Sequence, residues 1–162
     1  MILQHVRRAA AGVIAAAAIA SQAAAWQVGN WGGVTIIGNN GDFLGCRMSV
    51  RYNSGITLHF IQLRSYALFI GMSKPEWAMN PNASYAMGLV IDGQYVRRAR
   101  GEVLIGLNNA VFLNLGTDRL TRDLLARRFN LTLINNQQSY AFALTATAAA
   151  LQRLEYCVQT GT

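Results

Sequence analysis

Cys46 and Cys157 are the only cysteines of the 162-residue chain, and 111 positions separate them. Whether they are joined decides which ends of the fold must touch, so their redox setting comes first. The first 25 residues supply it. A short basic start, "MILQHVRR", leads into the apolar run "AAAGVIAAAAIA", and "SQAAA" closes with Ala23 and Ala25 in the A-x-A spacing that signal peptidase accepts. The run is shorter than the ~20 residues a spanning helix needs, so it is read as a cleavable signal peptide over 1–25. A membrane anchor or an alanine-rich core helix is the competing reading of the same residues. No cysteine follows the run to accept a lipid.

Export places the thiols where they tend to oxidise, and an even count with none left over favours pairing. A Cys46–Cys157 bridge would then close most of residues 26–162. Two separate buried thiols remain the alternative, because free cysteine packs as a small hydrophobe. A catalytic thiol lacks a histidine partner nearby in sequence and any known local signature.

Residues 26–162 have the length of one domain. Apolar and polar residues alternate along much of this stretch, which is the period of strands. In "GCRMSVRY", Cys46, Met48, Val50 and Tyr52 share one side. "ITLHFIQ" puts Ile56, Leu58 and Phe60 together, with His59 on the opposite, solvent-side face. "YALFIG", "SYAMGLVI", "QYVRRA", "EVLIGL" and "AVFLNL" continue the pattern. Asp92-Gly93 is the strongest short hairpin signal. "WQVGNWGGVTIIGNNGDFLG" is expected to form only a weak strand at Val34–Ile37 between flexible flanks. "MSKPEWAMNPNAS", with Pro75 and Pro81, interrupts the sheet and leaves Trp77 at the core edge.

The period changes twice. "TDRLTRDLLARRF" spaces Leu120, Leu124, Leu125 and Phe129 as one helical stripe, with Thr117 as N-cap. "NLTLIN" and "YAFAL" form a hairpin around 136–139. "TATAAALQRLEYCV" is a second helix, capped by Thr145 or Thr147, that buries Leu151, Leu154 and Val158 with Cys157 at the inner edge. The expected fold is mainly β (α+β): an antiparallel sandwich or partly closed barrel with two helices, the second at the C-terminus.

The order of features over residues 84–158 resembles a known family. A strand ending in Val-Ile-Asp-Gly ("YAMGLVIDG") is followed by the helix "DRLTRDLLARRF", the strand "NLTLIN" and the closing strand-plus-helix "YAFALTATAAALQRL". This is similar to the invasion-associated locus B family of small exported alphaproteobacterial proteins. Members often carry a further cysteine pair after the hairpin, and "RRARGEVLIGLNN" has none. The resemblance implies a periplasmic or envelope-associated β-rich domain without established catalytic residues.

Little else in the sequence points to catalysis. After the leader, His59 is the single histidine, and no zinc or copper set can be assembled from it with oxidised cysteines. Of the seven acids, Asp92 belongs to a turn and Asp118 and Asp123 to a helix. No nucleophile elbow, phosphate loop or dinucleotide fingerprint is present, and no cofactor is implied. Basic groups outnumber acidic ones, 14 to 7, and all but Lys74 are arginines. Arg97, Arg98 and Arg100 lie on one strand; Arg119, Arg122, Arg127 and Arg128 decorate the first helix. Arginine's planar fork suits carboxylate, phosphate or sulfate, so Arg97, Arg98, Arg100, Arg122, Arg127 and Arg128 are candidate anion-binding residues. A solvated face that keeps the chain soluble is the plainer reading of the same arginines.

The expected role is that of a non-catalytic, periplasmic or secreted binding protein. Its partner would be another envelope or host protein, or an anionic surface glycan or lipid, and not nucleic acid. The alternatives are a small periplasmic enzyme or enzyme inhibitor, and a structural subunit that assembles through β edges.

Overall fold

The computed structural model describes residues 25–104, 107–135 and 138–162. The leader expected over 1–25 lies outside them except for Ala25. Ten strands form a single antiparallel sheet: β1 (Ala25–Val28), β2 (Trp31–Ile37), β3 (Phe43–Arg51), β4 (Thr57–Leu63), β5 (Leu68–Ser73), β6 (Tyr85–Ile91), β7 (Gln94–Glu102), β8 (Ala110–Gly116), β9 (Asn130–Asn135) and β10 (Gln138–Ala143). Helix α1 (Arg119–Arg127) follows β8, and α2 (Thr147–Thr160) follows β10. The spatial order is β1-β2-β3-β4-β5-β8-β7-β6-β9-β10. The sheet does not close into a barrel, so β1 and β10 are its two edges.

A twisted sheet of this size curls on itself, and here the curl makes the core. Tyr52, just past β3, donates its hydroxyl to the carbonyl of Ala143 at 2.7 Å, and its ring meets Phe142 of β10 edge-on at 5.1 Å. Strands at opposite ends of the order therefore face each other. The inward positions of each strand, among them Met48, Phe60, Ile70, Leu89, Leu113 and Leu133, are fully buried. Helix α2 lies over β1–β4 and adds Ala150, Leu151, Leu154, Cys157 and Val158. No helix of the described residues is long and apolar enough to cross a membrane.

Several local expectations are corrected. The glycine-rich start is a β1–β2 hairpin, with Trp26 opposite Gly33. A side chain at Gly33 would collide with the Trp26 indole, so the bare glycine makes room for the ring, and the Arg153 guanidinium stacks over that ring at 5.2 Å. Of the expected strand "EVLIGL", Val103 and Leu104 are not in a strand. β7 runs on through Glu102, and Leu104 and Leu107 then pack on the outer face of the sheet against Ile61, Phe69 and Phe112. Residues 105–106 and the 136–137 turn of the last hairpin lie outside the described residues. The Asp92-Gly93 hairpin forms as expected, with both residues at positive φ (47° and 77°).

The helix caps also differ. Asp118, not Thr117, caps α1, its carboxylate accepting from the Leu120 N–H at 3.0 Å. Helix α2 has Ala146 in the left-handed region (φ 58°) at its N-cap and no side-chain cap from Thr145 or Thr147. The Trp31 indole N–H instead donates to the Thr145 carbonyl at 3.0 Å and pins the turn. Along α1 only Thr121 and Leu125 are buried, while Leu120 and Phe129 are 76% and 77% exposed. A nine-residue helix seated chiefly on α2 has one narrow buried face, and Phe129 falls beyond its C-cap at Arg128.

Candidate functional site

Cys46 and Cys157 are bonded, with 6.2 Å between their Cα atoms, and neither sulfur-bearing residue has any exposed surface. The bond fastens α2 to β3 from within the core. Directly across from Cys46, on β4, stands Gln62.

Gln62 forms the floor of a cleft of about 490 Å³. The β4–β5 turn (Ser65, Tyr66), the β8–α1 junction (Gly116 to Arg119) and α2 (Glu155, Gln159) line its walls. Gln62 is 2% exposed, and its Oε1 has no hydrogen-bond partner among the described residues. At the lip, Tyr66 takes a left-handed backbone (φ 64°), an uncommon conformation for a residue with a side chain. Asp118 is held below its ordinary range, chiefly by the Thr121 hydroxyl that donates to it and then by the N–H groups of Leu120 and Thr121, with Arg97 adding a weaker pull. Arg122 pairs with Glu155 at 2.7 Å and donates to the Leu151 carbonyl at 3.1 Å. The cleft thus presents hydroxyls, amides and the Arg122–Glu155 ion pair. No histidine is among the described residues that line it.

The candidate anion-binding arginines separate into four settings. Arg97 turns toward the α1 end and donates to the Leu115 carbonyl at 2.9 Å. Arg98 and Arg100 alternate with the half-buried Arg97 and Ala99 and are exposed on the opposite face of β7. Arg122 is committed to the α1–α2 contact. Arg127 and Arg128 are exposed at the far end of α1, where Arg128 lies 3.8 Å from Asp92. Strand alternation brings Arg98 and Arg100 to one face of β7, while Arg97, Arg122 and the Arg127–Arg128 pair lie elsewhere.

His59 needs correction. It lies on the face opposite Leu58 and Phe60, as alternation requires, yet it is only 8% exposed. The reason is its neighbour Gly71 on β5. With no side chain there, the Phe112 ring lies across the gap and sits 5.9 Å from the imidazole. His59 Nε2 and Ser73 Oγ share a hydrogen bond of 2.8 Å. Burial, with help from Arg47, lowers the His59 pKa to about 4. Nδ1 has no partner among the described residues. A serine–histidine pair of this kind has the contact of a nucleophile and base. It lacks the third, orienting group, and a base of such low pKa is a poor proton acceptor near neutral pH.

Sequence reading missed Gln62, Ser73 and the whole cleft, because the walls come from segments far apart in the chain. The one local signal was a glutamine at an inward strand position.

No protein-family model matches the chain, and no curated protein matches it by sequence. Among solved structures, it is similar to the crystal structure of invasion associated protein B from Bartonella henselae. The TM-score is 0.57 at 13% sequence identity, covering 84% of this chain and 97% of that one. At that identity the likeness is one of fold, and it agrees with the fold that the 84–158 resemblance implied: the chain shares the architecture of invasion associated protein B.

Proposed function

We propose that the chain is an exported, non-catalytic binding module that meets an anionic component of the envelope or of a host surface. The observation that carries this reading is the pair Arg98 and Arg100, exposed on one face of β7 and ~7 Å apart along the strand. Two guanidinium forks at that spacing suit a carboxylate-, sulfate- or phosphate-bearing surface. The buried disulfide supports a periplasmic or secreted setting, since such bonds persist in oxidising compartments. The architecture shared with a protein named for invasion supports an envelope or host-facing role. The sealed His59–Ser73 pair, with its weak base, favours recognition over catalysis.

Heparin chromatography tests the reading. Arg98→Ala/Arg100→Ala should elute at clearly lower salt than the wild type. A charge-matched Arg51→Ala/Arg64→Ala variant, altered at other exposed arginines, should shift much less. Equal shifts for the two double variants would reduce the effect to net charge and overturn the proposal.

A further inference from the structure

The connection 74–84 between β5 and β6 carries both prolines and does more than interrupt the sheet. The Met79 N–H donates to the Asn108 carbonyl at 2.7 Å, and the Trp77 N–H to the Lys74 carbonyl at 3.0 Å, which folds the segment back over the sheet rim. Trp77 thereby meets Tyr140 of β10 edge-to-face, with ring centroids 5.7 Å apart. Tyr85, at the start of β6, is fixed beside them, its hydroxyl accepting from the Asn80 N–H at 2.9 Å. These three half-buried rings, with Glu76, Asn135 and Gln138, border a cleft of about 440 Å³. That is within the ~300–1,000 Å³ usual for small-molecule sites. It lies at the opposite end of the strands from the Gln62 cleft: Leu68, which opens β5, borders one, and Trp77, which follows the end of β5, borders the other.

We propose that this cleft binds a neutral saccharide. Aromatic faces carry the negative side of the ring quadrupole and attract weakly positive C–H groups. A pyranose offers such C–H groups on its faces and hydroxyls around its rim, so its ideal site pairs aromatic rings with amides or carboxylates. The cleft has that pairing. Asn135 Oδ1 is buried without a hydrogen-bond partner among the described residues, and rotation about the broad terminal torsion of the amide presents it to a ligand hydroxyl. The Tyr140 hydroxyl donates to Gln138 Oε1, which orients the Gln138 amide with its N–H₂ group free to donate. Glu76 adds a carboxylate that accepts hydroxyl protons. It is the one charged residue among the described residues that line the cleft, and Lys74 lies 3.8 Å from it. No arginine is among the described residues that line the cleft, and its amides and carboxylate suit a neutral, hydroxyl-rich ligand. Neither Arg98 nor Arg100 is among the described residues that line this cleft, and either proposal can fail alone.

The test titrates the intact chain with cellotetraose, maltotetraose and chitotetraose, read by tryptophan fluorescence and by saturation-transfer NMR. At least one tetrasaccharide should give a saturable fluorescence change and magnetisation transfer from the Trp77 and Tyr140 ring protons. Trp77→Ala should weaken its affinity by about tenfold or more. Should loss of the indole disturb the fold, Trp77→Phe keeps a ring in place and should weaken binding less. Asn135→Ala should also weaken it, with the thermal midpoint held. Absence of saturable binding by all three sugars would overturn the proposal. So would binding indifferent to Trp77→Ala, or binding confined to a heparin-derived tetrasaccharide, which would assign the ligand to the arginine face.

Discussion

His59 shows how far strand alternation reaches at the scale of a residue. Alternation gives the face, and the face is right. Exposure depends on what covers the face, and that is set by Gly71 and Phe112 from two other strands. No local pattern around "ITLHFIQ" encodes a phenylalanine on β8. The burial has a consequence for stability. With the imidazole pKa near 4 when folded and 6.5 when free, the unfolded chain binds more protons than the folded one between those values. Stability from this group is therefore fully present above about pH 6.5, falls as pH drops toward 4, and is flat below. The full effect is at most about 3 kcal/mol. Urea midpoints measured from pH 7.5 to 4 should fall along this limb, and His59→Gln should flatten it. An unchanged slope in the variant would assign the acid sensitivity to other groups.

At the scale of elements, the ten strands were mostly legible because one face of each is core, which imposes period two. The exceptions have physical causes. "WGG" reads as flexible from its glycines, yet Gly33 is there to seat an indole, and composition does not separate a free glycine from a covered one. Leu104 and Leu107 read as strand because covering the outer face of a sheet requires the same apolar residues as extending it. Helix α1 was legible as a helix, but its partner was not. Its hold on the fold is narrow: Leu125, Thr121 and the Arg122 bridge to Glu155 and the Leu151 carbonyl. Arg122→Ala should loosen α1 while the sheet stays intact, because local openings follow local contacts. Hydrogen exchange should quicken over 119–127 by more than in β3–β5. Uniform quickening would mean that α1 and the sheet open as one unit.

Across the whole molecule, the bridge between Cys46 and Cys157 was the most informative reading the sequence allowed, because it needed only a compartment and an even count. The clefts were not legible, since each gathers residues from three or more separated segments that meet only when the sheet curls. The bridge lies wholly inside the core, so reductant should reach it only through unfolding. Native protein in dithiothreitol should keep the bond, and reduction should proceed once urea is added. Cys46→Ala/Cys157→Ala should lose up to about 4.7 kcal/mol, the chain-entropy value for a loop of ~100 residues. Rapid alkylation of both thiols under native reducing conditions would contradict the burial. The bond also sets how the molecule carries mechanical load. Traction applied upstream of Cys46 and downstream of Cys157 passes through the sulfur–sulfur link and leaves residues 47–156 slack. Pulled on a surface, the chain should peel away β1 and β2 and then stop, with most of the sheet still folded behind a covalent lock.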